Sequence, residues 1–129
     1  MIPGFRVAAA LALSAAGAFA LLVPANAQNG SQMGISRCST RPYGNGQVEL
    51  SISFTNRSVK VAQAVDFAVQ RNGGLGEVRD LGNFTQGALI AHNWVFPQGR
   101  LPGTGQPTCQ VLGIIYRNAS AWANPNPPY

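Results

Sequence analysis

Titratable side chains are scarce in this chain. It has one histidine, His92, four carboxylates, Glu49, Asp66, Glu77 and Asp80, and two cysteines. Acid–base or nucleophilic catalysis needs several polar groups converging in one pocket. A Ser-His-Asp set would have to join His92 to Asp66 or Asp80 and to a serine that no Gly-x-Ser-x-Gly marks. Zinc asks for three or four His, Cys or carboxylate ligands. Asp66, Glu77 and Asp80 lack any calcium-loop spacing. Paired carboxylates for sugar hydrolysis would have to come from the same four acids. Gly73-Gly74-Leu75-Gly76 has no following helix or Lys-Ser/Thr, so it reads as a hairpin turn rather than a phosphate cradle. The expectation is a protein that is not an enzyme and takes no cofactor or metal. The bland reading of His92 is a partly buried strand residue hydrogen-bonded to backbone.

Clustered charge is missing too. The bases after residue 27, Arg37, Arg41, Arg57, Lys60, Arg71, Arg79, Arg100 and Arg117, are scattered singly. Nucleic-acid binding needs clustered phosphate contacts, so no nucleic-acid partner is expected. Only one long apolar run exists, Val7–Val23.

That run belongs to a recognisable leader. Arg6 gives a short cationic start, the apolar run follows, and Pro24 and Ala25-Asn26-Ala27 precede Gln28. Small residues at the end of such a segment suit signal-peptidase cleavage. The boundaries read from this are a signal peptide at 1–27, a flexible leader at 28–34, a folded domain at 35–123 and a Pro-rich tail at 124–129. The protein is expected to be exported, periplasmic or extracellular, with no membrane span once the leader is cleaved. Without Arg6, eight basic residues face four acids, a balance of +4. Export also permits a disulfide between Cys38 and Cys109. Closing that 71-residue loop is worth about 4 kcal/mol on the chain-entropy model.

The remaining residues alternate and turn like a β protein. Val48, Leu50, Ile52 and Phe54 recur at period two, the clearest strand in the chain. Further strands are predicted at Ile35–Thr40, Val61–Gln70, Leu75–Leu81, Leu89–Phe96 and Thr108–Arg117. In Leu75–Leu81, Val78 and Leu81 are expected inward, with Asp80 making a turn with Gly82. In Leu89–Phe96 the parity is mixed and leaves the inward face open. Thr108–Arg117 is apolar on both faces and reads as a central strand. Arg41–Gly46 and Pro97–Pro107 read as turn and loop. Asn118–Tyr129 is expected to trail off with Trp122 as a last anchor. Short strands with turn signals every eight to twelve residues indicate an all-β sandwich or barrel.

The order Phe54-Thr55-Asn56-Arg57-Ser58, then Val65-Asp66-Phe67, then Asp80–Gly87 and Ile90-Ala91-His92 resembles small exported bacterial immunoglobulin-like β-sandwich domains, many without assigned function. The likeness covers roughly Val48–Trp122. It implies an immunoglobulin-like antiparallel β-sandwich of about seven strands and carries over no site residue. Cys38 precedes the first clear strand, unlike the first cysteine of antibody-type domains. The bridge is therefore expected to tie an edge strand to the last strand rather than cross the core.

Functional expectation falls on aromatics. Tyr43, Trp94 and Trp122 are the candidate ligand or partner contacts, because Trp and Tyr are preferred interface anchors. The function expected is binding or structural association in the cell envelope, with an unknown envelope protein or glycan as partner. The routes are sheet-edge addition or an aromatic loop patch. The alternatives are an envelope enzyme inhibitor acting through Pro97–Pro107, or a carbohydrate-binding module using Trp94 and Trp122. Four glycosylation sequons begin at Asn29, Asn56, Asn83 and Asn118, and their use is left open.

Overall fold

A computed structural model describes residues Gln32–Tyr129. The predicted signal peptide and most of the leader lie outside the described residues. Seven strands follow one another: β1 (Met33–Gly44), β2 (Gln47–Asn56), β3 (Ala62–Asn72), β4 (Gly74–Phe84), β5 (Leu89–Phe96), β6 (Thr104–Tyr116) and β7 (Ala121–Ala123). They form two sheets, ordered β1-β2-β5 and β4-β3-β6-β7, with every pair antiparallel. The architecture is an all-β sandwich.

The alternation in β2 sets the core. Leu50, Ile52 and Phe54 point inward and are fully buried, against Val65, Phe67 and Val69 of β3 and Val111 and Ile114 of β6. Phe54 is the hub. Its ring lies 5.1 Å from that of Phe67 and 5.5 Å, edge-on, from that of Phe84. Offset or edge-to-face pairs of this kind are the preferred aromatic geometry.

Several elements depart from the sequence reading, each for a local reason. β1 begins at Met33, which is buried, and runs through Pro42 to Gly44. Proline is tolerated there because β1 is an edge strand and loses no ladder bond. The turn contracts to Asn45-Gly46, both at positive φ, where Asn and Gly are the residues of lowest cost. In β4 Val78, Asp80 and Phe84 share one parity and are buried, so Leu81, adjacent to Asp80, faces outward and Phe84 inward. Asp80 is no turn residue but a buried inward side chain. In β6 an irregularity opposite Asp66/Phe67 leaves Leu112 without a partner on β3, so the inward face passes from Val111 to Ile114 and Tyr116. A bulge of this kind breaks any strict period-two reading. Asn124 follows β7 and fills the irregularity, its Nδ2 donating to Val111 O at 3.0 Å and its N–H to Leu112 O at 2.8 Å. β6 is central, as its two apolar faces suggest. It lies between β3 and β7, a strand the prolines of the tail concealed. Four of the eleven residues of the predicted Pro97–Pro107 loop, Thr104 to Pro107, are strand, and buried Leu101 anchors the rest.

The chain crosses from one sheet to the other just after β2, and Asn56 organises that crossing. Its fully buried Nδ2 donates to Lys60 O (3.0 Å) and Phe84 O (2.8 Å), while Oδ1 accepts the Ser58 N–H (2.8 Å). Asn56 therefore has no amide free for sugar in the folded domain, although it begins a sequon. Removing it strands two carbonyls and one N–H. Asn56→Ala is expected to cost about 2 kcal/mol, a fall of about 10 °C in a thermal melt followed by circular dichroism.

Candidate functional site

A two-sheet sandwich has four outer edges, and each offers a row of backbone groups that another chain can pair with. Here three of the four are blocked and one is open.

The β1 edge is blocked by the chain itself. Thr40 donates its N–H to Gln106 Oε1 at 3.0 Å and accepts from Gln106 Nε2 at 2.9 Å. The Gln106 amide thus imitates a neighbouring strand for one residue. Two positions along, Pro42 has no N–H to offer. Register shifts at Ser36 and Tyr43 bend the strand. The Cys38–Cys109 disulfide ties this edge strand to β6 of the other sheet, with Cα atoms 5.8 Å apart. The bridge does start from an edge strand and end on the last long strand, as expected, but it also joins the two sheets.

The other two blocked edges use different means. β4 carries exposed Glu77 and Arg79. Asp66 accepts two bonds from Arg79, at 2.6 and 2.9 Å, which raise the guanidinium pKa above its ordinary value through hydrogen bonding and then charge. β7 has three residues, and Pro125, Pro127 and Pro128 follow it. Charge, brevity and proline are standard defences of a sheet edge.

β5 has none of these. Its eight residues, Leu89–Phe96, contain no Asp, Glu, Lys, Arg or Pro, and its pairing with β2 runs without a register shift. The direction of its backbone groups follows from Thr40. Thr40 turns both groups away from β2, so Leu50 opposite it turns both groups toward β5, and Trp94 opposite Leu50 turns its own back to β2. By alternation Leu89, Ala91, Asn93 and Val95 present their N–H and C=O groups at the free edge. None of the four has a hydrogen-bond partner on that side among the described residues. Leu89 is 69% exposed and Val95 42%. The inward residues of β5 are Ile90, His92, Trp94 and Phe96, which resolves the mixed parity of the sequence.

His92 and Trp94 brace this strand from within. Their rings stack at 4.0 Å, 6° from parallel. His92 Nδ1 lies 2.8 Å from Asp80 Oδ1 on β4 of the opposite sheet. The partner is a carboxylate and not the backbone expected from sequence. Where Asp80 is ionised it only accepts, and Nδ1–H is then the donor. Asp80 is 2% exposed, and its Oδ2 has no partner. The His92 side chain is 41% exposed. The sheets are thus joined on one side by the disulfide and on the other by this pair. Two of three members of a Ser-His-Asp set meet, but among the described residues no serine hydroxyl is bonded to His92.

The other candidates are dispersed. Tyr43 is 51% exposed, on the extra residue of the second β1 bulge. Trp122 is half-buried on β7, at the opposite side of the sandwich from Trp94. The two tryptophans do not share a surface. A cleft of 480 Å³ opens by Thr40, Arg41, Arg71 and Gln106. Its arginines are engaged, Arg41 by Glu49 and Arg71 by the carbonyls of Gly105 and Leu101. Among the described residues no three His, Cys, Asp or Glu side chains gather as a metal site would need. The open edge is the feature sequence reasoning missed as a particular strand. Its signal was a run of eight residues without formal charge or proline.

No protein-family model, curated protein or solved structure matches this chain. The fold and edge define the class: a disulfide-linked, seven-stranded β-sandwich with one unprotected strand.

Proposed function

We propose that this protein is an exported, immunoglobulin-like β-sandwich that acts in the cell envelope by binding, adding a partner's extended strand to the free edge of β5. The observation that carries the reading is the asymmetry of the edges: three are defended and β5 is not. In strand addition the main chain supplies affinity and flanking side chains supply selectivity. Leu89 and Val95 flank the outer face and Trp94 the inner one. The strand order β1-β2-β5 over β4-β3-β6-β7 supports the immunoglobulin-like assignment, and the disulfide supports an oxidising compartment. His92 and Asp80 serve here as a brace between sheets, without chemistry.

Amide hydrogen exchange tests this. Relative to dilute protein alone, exchange at Leu89, Ala91, Asn93 and Val95 is expected to slow once a pairing strand is present, supplied by an envelope extract or by concentrated protein. Leu89→Lys combined with Val95→Lys is expected to abolish the slowing. Partner binding that leaves these four amides unchanged would sink the proposal. So would hydrolysis of a substrate that disappears with His92→Ala.

A further inference from the structure

We infer that the strand β5 receives is β5 of a second copy of this chain, paired antiparallel about a twofold axis at His92. The inference rests on strand addition at this edge and adds its occupant and its register. A twofold interface must be complementary to itself. β5 has that property around His92. Stepping outward, Ala91 and Asn93 are small or polar, Ile90 and Trp94 are large and half-buried, and Leu89 and Val95 are apolar and exposed.

In this register Leu89 faces Val95 of the second copy, Ala91 faces Asn93, and each pair recurs by symmetry. All four residues that present free backbone groups find partners. A shift of the axis to residue 91 or 93 leaves one of them unpaired. A slip of one residue sets the free groups of one copy against the inward-turned groups of the other. On the outer face, the exposed Leu89 and Val95 side chains cover each other. No Asp, Glu, Lys or Arg lies on β5, so pairing brings no formal like charges of these types together. The result is one continuous sheet with three strands from each copy. That removes the exposed edge of both.

The test is sedimentation equilibrium of the purified protein and two doubly substituted variants. Positions 89 and 95 are exposed, so all three should give the same circular dichroism spectrum. The unsubstituted protein is expected to dimerise. Leu89→Lys with Val95→Lys sets two lysine pairs face to face and is expected to weaken dimerisation at least about tenfold. Leu89→Lys with Val95→Glu sets opposite charges face to face and is expected to restore it to within about threefold. Register is read by oxidising a mixture of Ala91→Cys and Asn93→Cys proteins, which should cross-link to each other and not to themselves. A monomer at the highest attainable concentration overturns self-pairing, as does a dimer indifferent to these charges. If that monomer still gains protection at the four β5 amides from an envelope extract, strand addition stands and only the occupant is wrong.

Discussion

Replacing Cys38 and Cys109 with serine is expected to lower the melting temperature by about 20 °C. The bridge closes a loop of 71 residues. On the chain-entropy model that constrains the unfolded state by about 4 kcal/mol, a large part of the roughly 5–15 kcal/mol that holds a domain together. At about 4–8 °C per kcal/mol for a chain of this length, the shift is of that order. The consequence extends past stability. Cys38 and Thr40 lie on the same strand, and Gln106 and Cys109 on the same facing strand, so the bridge and the amide clamp hold one edge jointly. Without the bridge, the β1 edge is held by the Gln106 clamp alone, and heating that breaks the clamp exposes a second pairing surface. The serine variant is therefore expected to aggregate on heating where the native protein does not. Calorimetry with light scattering measures both. A shift under about 5 °C would mean the reduced unfolded state is already compact.

The fold was legible where side chains alternate cleanly and obscure where the backbone departs from the ladder. β2 was read to within a residue or two because Val48, Leu50, Ile52 and Phe54 keep strict period two. β5 had the right bounds but no assignable face, since Leu89 and Val95 outside are as apolar as Ile90 and Phe96 inside. That ambiguity is the physical signature of an unprotected edge: nothing polar was placed on its wet side. Parity failed in β4 because its inward set, Val78, Asp80 and Phe84, holds a carboxylate where an apolar residue is expected, and in β6 because a single-residue irregularity reverses it and composition gives no sign of where it falls. The short β7 was hidden by the prolines that follow it. The Cys38–Cys109 pairing needed only counting, whereas the His92–Asp80 pair joins strands of different sheets and leaves no local pattern.

His92→Ala is expected to destabilise the domain by about 3 kcal/mol, while a further change at Asp80 restores most of the loss. Asp80 is buried in β4, and the His92 ring supplies the hydrogen bond to its Oδ1; Oδ2 already has none. Removing one member of a buried pair leaves an uncompensated carboxylate, at a typical cost of about 3–5 kcal/mol. The lower end applies because the imidazole is partly wetted, so water reaches the vacated site. Asp80→Leu in the His92→Ala background removes the stranded charge and fills the space with apolar volume. Replacing both members of such a pair by apolar groups is often neutral. The two changes should therefore be strongly non-additive in a double-mutant cycle measured by urea denaturation. The cycle also separates the two roles open to His92. A brace between sheets predicts that the double variant regains stability and keeps its β5 interactions, because the free edge is made by Leu89, Ala91, Asn93 and Val95. Regained stability with lost binding would show that the His92 imidazole, at the twofold axis, contributes to pairing as well as bracing the sheets.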